Sequence, residues 1–247
     1  MFLDIEKLTW MAGRKLLALS GRMRTEEDGE KLLYLDGSAS NPAKAFEQAG
    51  QEIVRLGEAG LEALKKAAEG IASADLEKER LGLEQVALSA YLEREIPVAL
   101  GKLRGIGMTA RELGKLGQML AAAADGGRIG FFADDILEGL LELKKSGEKF
   151  ADGERDSLIQ LAAETIRLTE QAIDVYRSEA YDRLGLIQTM EAQMEEIRNQ
   201  AVERYIRRFS EETAEPSSLW MQMVSDLSRC AEHAVRFAFS IARDGND

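Results

Sequence analysis

From residue 43 to residue 243, apolar side chains recur three and four positions apart, separated by Glu, Lys and Arg. That period lines them along one stripe of an α-helix and suits helices packed in a bundle. Ile159, Ala162, Ala163, Ile166, Thr169, Ala172 and Ile173 form one such stripe. Interruptions divide the pattern into six helices, expected over 43–72, 75–104, 108–146, 154–181, 183–211 and 217–243. Each interruption has a local cause. Asn41-Pro42 reads as a helix start, because Asn caps well and Pro at the first helical position loses no intrahelical bond. Ser73-Ala74-Asp75 offers a cap, Gly105-Ile106-Gly107 weakens helix ahead of a capping Thr109, and Ser146-Gly147 with Asp152-Gly153 flanks a hinge. Pro216 with Ser217 and Ser218 opens the last helix. Long helices joined by short loops imply mostly antiparallel neighbours.

The first 41 residues differ. Residues 1–24 carry Lys7, Arg14, Lys15, Arg22 and Arg24 against Asp4 and Glu6, a net of +3. Since the whole chain carries −12, the remainder carries −15. Phe2, Leu3, Leu8, Trp10, Met11, Leu16, Leu17 and Leu19 make this segment amphipathic. It reads either as a membrane-proximal helix or as an ordinary first helix packed on the bundle. A polar stretch and the loop Gly37-Ser38-Ala39-Ser40-Asn41 follow.

Composition narrows the function classes. Only three of 247 residues are Pro, where average usage gives about twelve. Aromatics are 6% and Ala, Leu, Glu, Lys and Arg dominate, which favours helix over sheet. A net charge of −12 argues against a general nucleic-acid binder. One Cys and one His exclude a disulfide framework, a Cys-based zinc cluster and a His-rich metal site. No apolar run reaches the ~18 residues of a membrane span, and no signal peptide opens the chain, so a cytoplasmic location is expected.

Two segments align without gaps. Asp125-Gly-Gly-Arg128-Ile-Gly-Phe-Phe-Ala133 lies against Asp226-Leu-Ser-Arg229-Cys-Ala-Glu-His-Ala234, at a constant offset of 101 residues. Each falls in the third long helix of its half, which supports two three-helix units in tandem. The second segment, continuing to Ala238, resembles the PhoU signature, roughly D-L-E-R-I-G-D-H-A-V-N-I-A. The first resembles that family's first-repeat version. Tyr34-Leu35-Asp36, Asn41-Pro42-Ala43 and Glu52-Ile53 are similar to the junction that joins the membrane part of bacterial Na⁺/phosphate cotransporters to a cytosolic PhoU-like tail.

The resemblance covers about residues 34–243 and implies an all-α fold: two PhoU-like three-helix repeats, 42–147 and 148–247, behind an N-terminal basic helix and linker at 1–41. It also implies regulatory work associated with phosphate transport. In the family, E/D-x-x-x-D on the second helix of a repeat and the E and D of E-R-I-G-D on the third bind metal. Residues four apart share a helix face, so two helices can present four carboxylates to a hard cation. This chain departs from that pattern unequally. In the first repeat Gly127 and Phe131 take the third-helix positions, and the register places Lys78 and Gly82 on the second helix. In the second repeat Glu191, Glu195 and Glu232 remain, while Ser228 replaces the fourth carboxylate. The cofactor is left open: the resemblance would place one divalent or ferric ion on Glu191, Glu195 and Glu232, and the opposing reading is a solvated acidic face.

Other residues read plainly. Asp226 lies about 240° around the helix from Glu232 and is expected to pair with Arg229. Cys230 reads as a small buried side chain and His233 as a packed or surface one. Met190, Met194, Met221 and Met223 read as core. Arg204, Arg207 and Arg208, beside Tyr205, complement the end of the fifth helix. Gly126-Gly127 and Gly105-x-Gly107 are not phosphate loops, since neither precedes Lys-Ser/Thr.

The expectation is a PhoU-like cytosolic regulatory domain of a Na⁺/phosphate cotransporter-related protein, not an enzyme. It would lie at the inner membrane face, with a membrane transporter domain of the same or another polypeptide as partner and a homodimer as a further option. The alternatives are a free-standing PhoU-type regulator of phosphate uptake and, from another class, a carboxylate-metal helical-bundle enzyme. That last class usually carries Glu-x-x-His pairs, and position 230, three before His233, is Cys.

Overall fold

A computed structural model describes residues 31–35, 41–73, 76–105, 107–211 and 217–242. The expected N-terminal helix at 1–24, the loop at 37–40, Ala74-Asp75 and Pro216 lie outside the described residues. Six helices follow the sequence pattern: α1 Pro42–Ser73, α2 Leu76–Gly101, α3 Ala110–Ser146, α4 Asp152–Ser178, α5 Leu184–Glu211 and α6 Ser218–Phe239. Short 3₁₀ turns sit at Lys102–Gly105, Tyr181–Arg183 and Ser240–Ala242. No strand occurs among the described residues, and no helix among them is long and apolar enough to cross a membrane.

The ends form as the local chemistry directs. Asn41 Oδ1 accepts from Lys44 N at 2.9 Å, which starts α1 at Pro42. Thr109 and Glu112 form a reciprocal capping box on α3. Gly147 closes α3 in the left-handed region at φ +74°. The fourth helix begins two residues earlier than its pattern suggests, because the Glu154 carboxylate accepts from Ala151 N at 2.9 Å and fixes the turn. It also ends earlier, at Ser178, where Glu179 turns left-handed at φ 48°. Its carboxylate meets Lys115 of α3 at 3.2 Å.

Two three-helix groups result, α1–α3 and α4–α6, within one unit spanning 32–247. They join through α3 on α6 and α1 on α4, so these four helices are central and α2 and α5 flank them. α1 and α3 run parallel, since Gly50 lies by Met119 and Gly60 by Gly130. α4 and α6 likewise run parallel, with Glu154 by Trp220 and Thr165 by Leu227, whereas α2 with α3, α1 with α4 and α3 with α6 are antiparallel: Gly82 by Leu137, Gly57 by Ile173, Asp125 by His233. One apolar cluster holds Ile53, Leu56, Leu92, Ile96 and Leu116 with Ile173 and Phe237; a larger one runs from Leu64 and Ile136 into the second half. The buried stripe of α4 is Leu158, Leu161, Ala162, Thr165, Leu168, Thr169 and Ala172, so Ile159 and Ala163 fall outside it. Met190, Met194 and Met223 are core, whereas Met221 is exposed.

Gly130 is where α1, α2 and α3 converge. A Cβ there would sit 2.2 Å from Ser89 Oγ and 2.7 Å from Ser89 Cβ, while Gly60 of α1 approaches its backbone nitrogen. Gly130→Ala therefore destabilises the chain by about 1–3 kcal/mol. Adding Ser89→Gly recovers part of that, less about 1 kcal/mol for a helical glycine. Paired denaturation curves check it; equal loss with and without the second change contradicts the contact.

Candidate functional site

The aligned motifs lie on α3 and α6, and these helices cross against each other. Cys230 Sγ donates to Ile129 O at 3.6 Å, and these two residues are 101 apart, the offset of the repeat itself. Equivalent residues thus meet at a local pseudo-twofold axis. One turn to one side, His233 Nδ1 is hydrogen-bonded to Asp125 Oδ1 at 2.9 Å, with both side chains mostly buried. The His233 ring also stacks on Phe132 at 5.7 Å. The lone histidine is a packed residue, as its sequence setting suggests, and it ties one repeat to the other.

The two repeats present different surfaces at the motif positions. In the first, Phe131 is 46% exposed, with the Arg128 guanidinium over its ring at 5.3 Å. At Gly127, the space a side chain would fill is taken by Glu93 of α2, whose Cδ lies 2.4 Å from an ideal Cβ. The α2 residues opposite the motif are thus Ser89 and Glu93, not Lys78 and Gly82. Gly82 lies against Leu137 further along α3. The sequence register missed this because it matched carboxylate positions and not the two glycines that admit α2. Gly127 and Gly130, with Ser89 and Glu93 four apart on α2, carried the signal.

In the second repeat, Glu191 and Glu195 of α5 lie near Glu232 of α6. Partial burial raises the Glu191 carboxyl above its ordinary range, and the charges of Glu195 and Glu232 push it the same way; Arg236 opposes them. Arg236 reaches Glu232 at 3.9 Å, and both are half-exposed. Ser228 is buried and spends its hydroxyl on Val224 O at 2.7 Å. Among the described residues, no three His, Cys, Asp or Glu side chains stand close enough to hold a metal ion. As placed, the three glutamates form an acidic patch with an arginine beside it, and a cation would require them to draw together.

Asp226 does not form the expected ion pair with Arg229. Arg229 lies over the Phe132 ring at 5.6 Å. Asp226 is only 6% exposed, and its Oδ2 has no hydrogen-bond partner in the protein. Burial, then the charge of Asp135, raise its carboxyl to about 6, against the lowering effect of Arg229. Cys230 is fully buried, and that burial pushes its thiol well above the usual range.

Two further features flank the repeats. Tyr34 N donates to the buried Glu52 carboxylate at 2.7 Å, and Leu35 is core, so the two ends of the junction motif meet on α1. Glu52 also pairs with Arg55 at 3.2 Å. Beside them a cleft of about 640 Å³ opens between α1, the start of α3 and the ends of α4 and α6. Near the end of α5, Arg208 pairs with Glu154 at 3.3 Å and Tyr205 Oη donates to Ser217 O at 3.0 Å.

No protein-family model matches the sequence. No curated protein matches it either. Solved structures do. The phosphate transport system regulatory protein PhoU from Streptococcus pneumoniae superposes with a TM-score of 0.70 at 16% identity, covering 82% of this chain and 95% of that one. PhoU from Pseudomonas aeruginosa gives 0.72 at 15% identity, covering 79% and 94%. Each likeness takes in about four fifths of this chain and nearly all of the other, and this chain therefore has the PhoU fold.

Proposed function

We propose that the chain is a PhoU-type regulator in phosphate transport, acting by contact with a transporter and not by catalysis. The observation that carries this is the fold. It reproduces nearly the whole length of two PhoU proteins, one of them titled a phosphate transport system regulatory protein. A regulator of this kind works by binding one state of its partner better than another. The finer reading is a domain of a Na⁺/phosphate cotransporter-related protein at the inner membrane face. It is supported by the junction motif, whose Tyr34 and Glu52 join directly, and by the basic segment before it. Removing the gene or the segment that encodes the chain should change phosphate uptake by intact cells, measured with radiolabelled phosphate. Unchanged uptake, together with no co-purification of a transporter from membranes, overturns the reading.

Glu191, Glu195 and Glu232 are the residues that would hold a cation, once drawn together and freed of Arg236. Oxygen donors of this kind suit a hard ion. Metal analysis after chelator-free purification tests this: near-stoichiometric iron or manganese in the wild type, lost in Glu195→Ala, supports the site. A metal-free wild type removes it and leaves contact-based regulation standing.

A further inference from the structure

The pseudo-twofold axis at Ile129 and Cys230 pairs each residue of the α3 motif with a counterpart on α6. Asp125 and Asp226 are such counterparts, and so are Phe132 and His233, both at the offset of 101. Asp125 has His233 as its partner. By the same symmetry Asp226 should meet position 132, but Phe132 offers no donor. The crossing therefore carries one satisfied acid and one unsatisfied acid, buried in the same seam.

The groups around Asp226 sharpen the point. From α3 it faces the Asp135 carboxylate, and from α6 itself Arg229 and Cys230. From α4, Thr165 lies on this side and donates its Oγ1 hydroxyl to Leu227 O at 3.5 Å. The α5 carboxylates Glu191 and Glu195 act on Glu191's own cluster with Glu232, six residues further along α6. An ionised Asp226 thus places an acceptor against an acceptor, with Oδ2 unbonded. A proton on it replaces one acceptor by a donor and removes the like-charge repulsion.

We propose that Asp226 makes the α3–α6 crossing a proton-responsive joint, packed closed when Asp226 is protonated and loosened when it is ionised. The direction follows from linkage. A carboxyl raised in the folded state adds stability that is complete below the ordinary carboxylate range and is lost as pH rises through about 6. The seam joining the two repeats is therefore tighter in mild acid than at neutral pH.

Hydrogen exchange on the full chain reads this directly. Amides of 125–137 and 223–234, corrected for intrinsic exchange, should open about tenfold more readily at pH 7.5 than at pH 5.0. Asp226→Asn, which keeps the shape and cannot ionise, should abolish that difference and exchange slowly at both values. Asp135→Asn keeps Asp226 but removes the facing charge, so the dependence should persist with its midpoint shifted to lower pH. A flat wild-type profile, an undiminished dependence in Asp226→Asn, or an unshifted midpoint in Asp135→Asn each overturns the proposal.

Discussion

Phe237→Ala lowers stability by about 3–5 kcal/mol, seen as a fall in urea midpoint at constant slope. The ring is fully buried and enters between the two repeats. Two glycines admit it: a Cβ on Gly57 would lie 3.3 Å from Phe237 Cζ, and one on Gly126 would lie 3.1 Å from Cε2. Tyr176 of α4 packs against it with ring centroids 4.6 Å apart. A side chain walled by α1, α3 and α4 leaves a cavity that cannot collapse, because the helices around it are fixed by their own contacts. Phe237→Leu, which keeps most of the volume, should cost less than half as much. A loss under 1 kcal/mol for the alanine variant would mean that the ring is not packed as described.

Trp220→Ala should cost a similar amount for a different set of reasons. Trp220 is 1% exposed and lies parallel to Tyr205 of α5, with centroids 4.0 Å apart and planes 8° from parallel. Its Nε1 donates to Glu154 O at the start of α4, at 3.0 Å. One side chain thus joins α4, α5 and α6 through burial, stacking and a hydrogen bond. Burial of the indole dominates, with about 0.5–1.5 kcal/mol for the stack and about 1 kcal/mol for the bond. Trp220→Phe isolates the bond and should lose about 1–2 kcal/mol. Equal stability of Trp220→Phe and the wild type would show that the Glu154 carbonyl contributes nothing.

The helices were legible because their start and stop signals are local. Asn41, Thr109 and Ser217 act through bonds to residues three positions away, and Gly147 through its own left-handed backbone. The repeat was legible because a constant offset of 101 needs no knowledge of packing, and the Cys230–Ile129 contact is its direct expression. Other features depend on neighbours that sequence spacing does not show. Ser89 and Glu93 face the motif only because Gly127 and Gly130 let α2 approach. Spacing makes Asp226 an i, i+3 neighbour of Arg229, but Arg229 lies over the Phe132 ring across the crossing. Ile159 shares the apolar pattern of Leu158 and Ala162, and only packing against α1, α5 and α6 selects between the two faces.

The crossing of α3 and α6 also sets an order of assembly. α1, α2 and α3 contact one another within about a hundred residues of chain, so the first half can gather as soon as residue 147 has been synthesised. The seam between the halves must wait for α6, about a hundred residues later in the chain, to bring Cys230 back to Ile129. Until then the side of α3 that takes Cys230, His233 and Met223, at Ile129, Asp125 and Gly139, lacks its cover. Long-range closure of this kind slows folding, and the waiting apolar face is the surface that a chaperone would hold during synthesis.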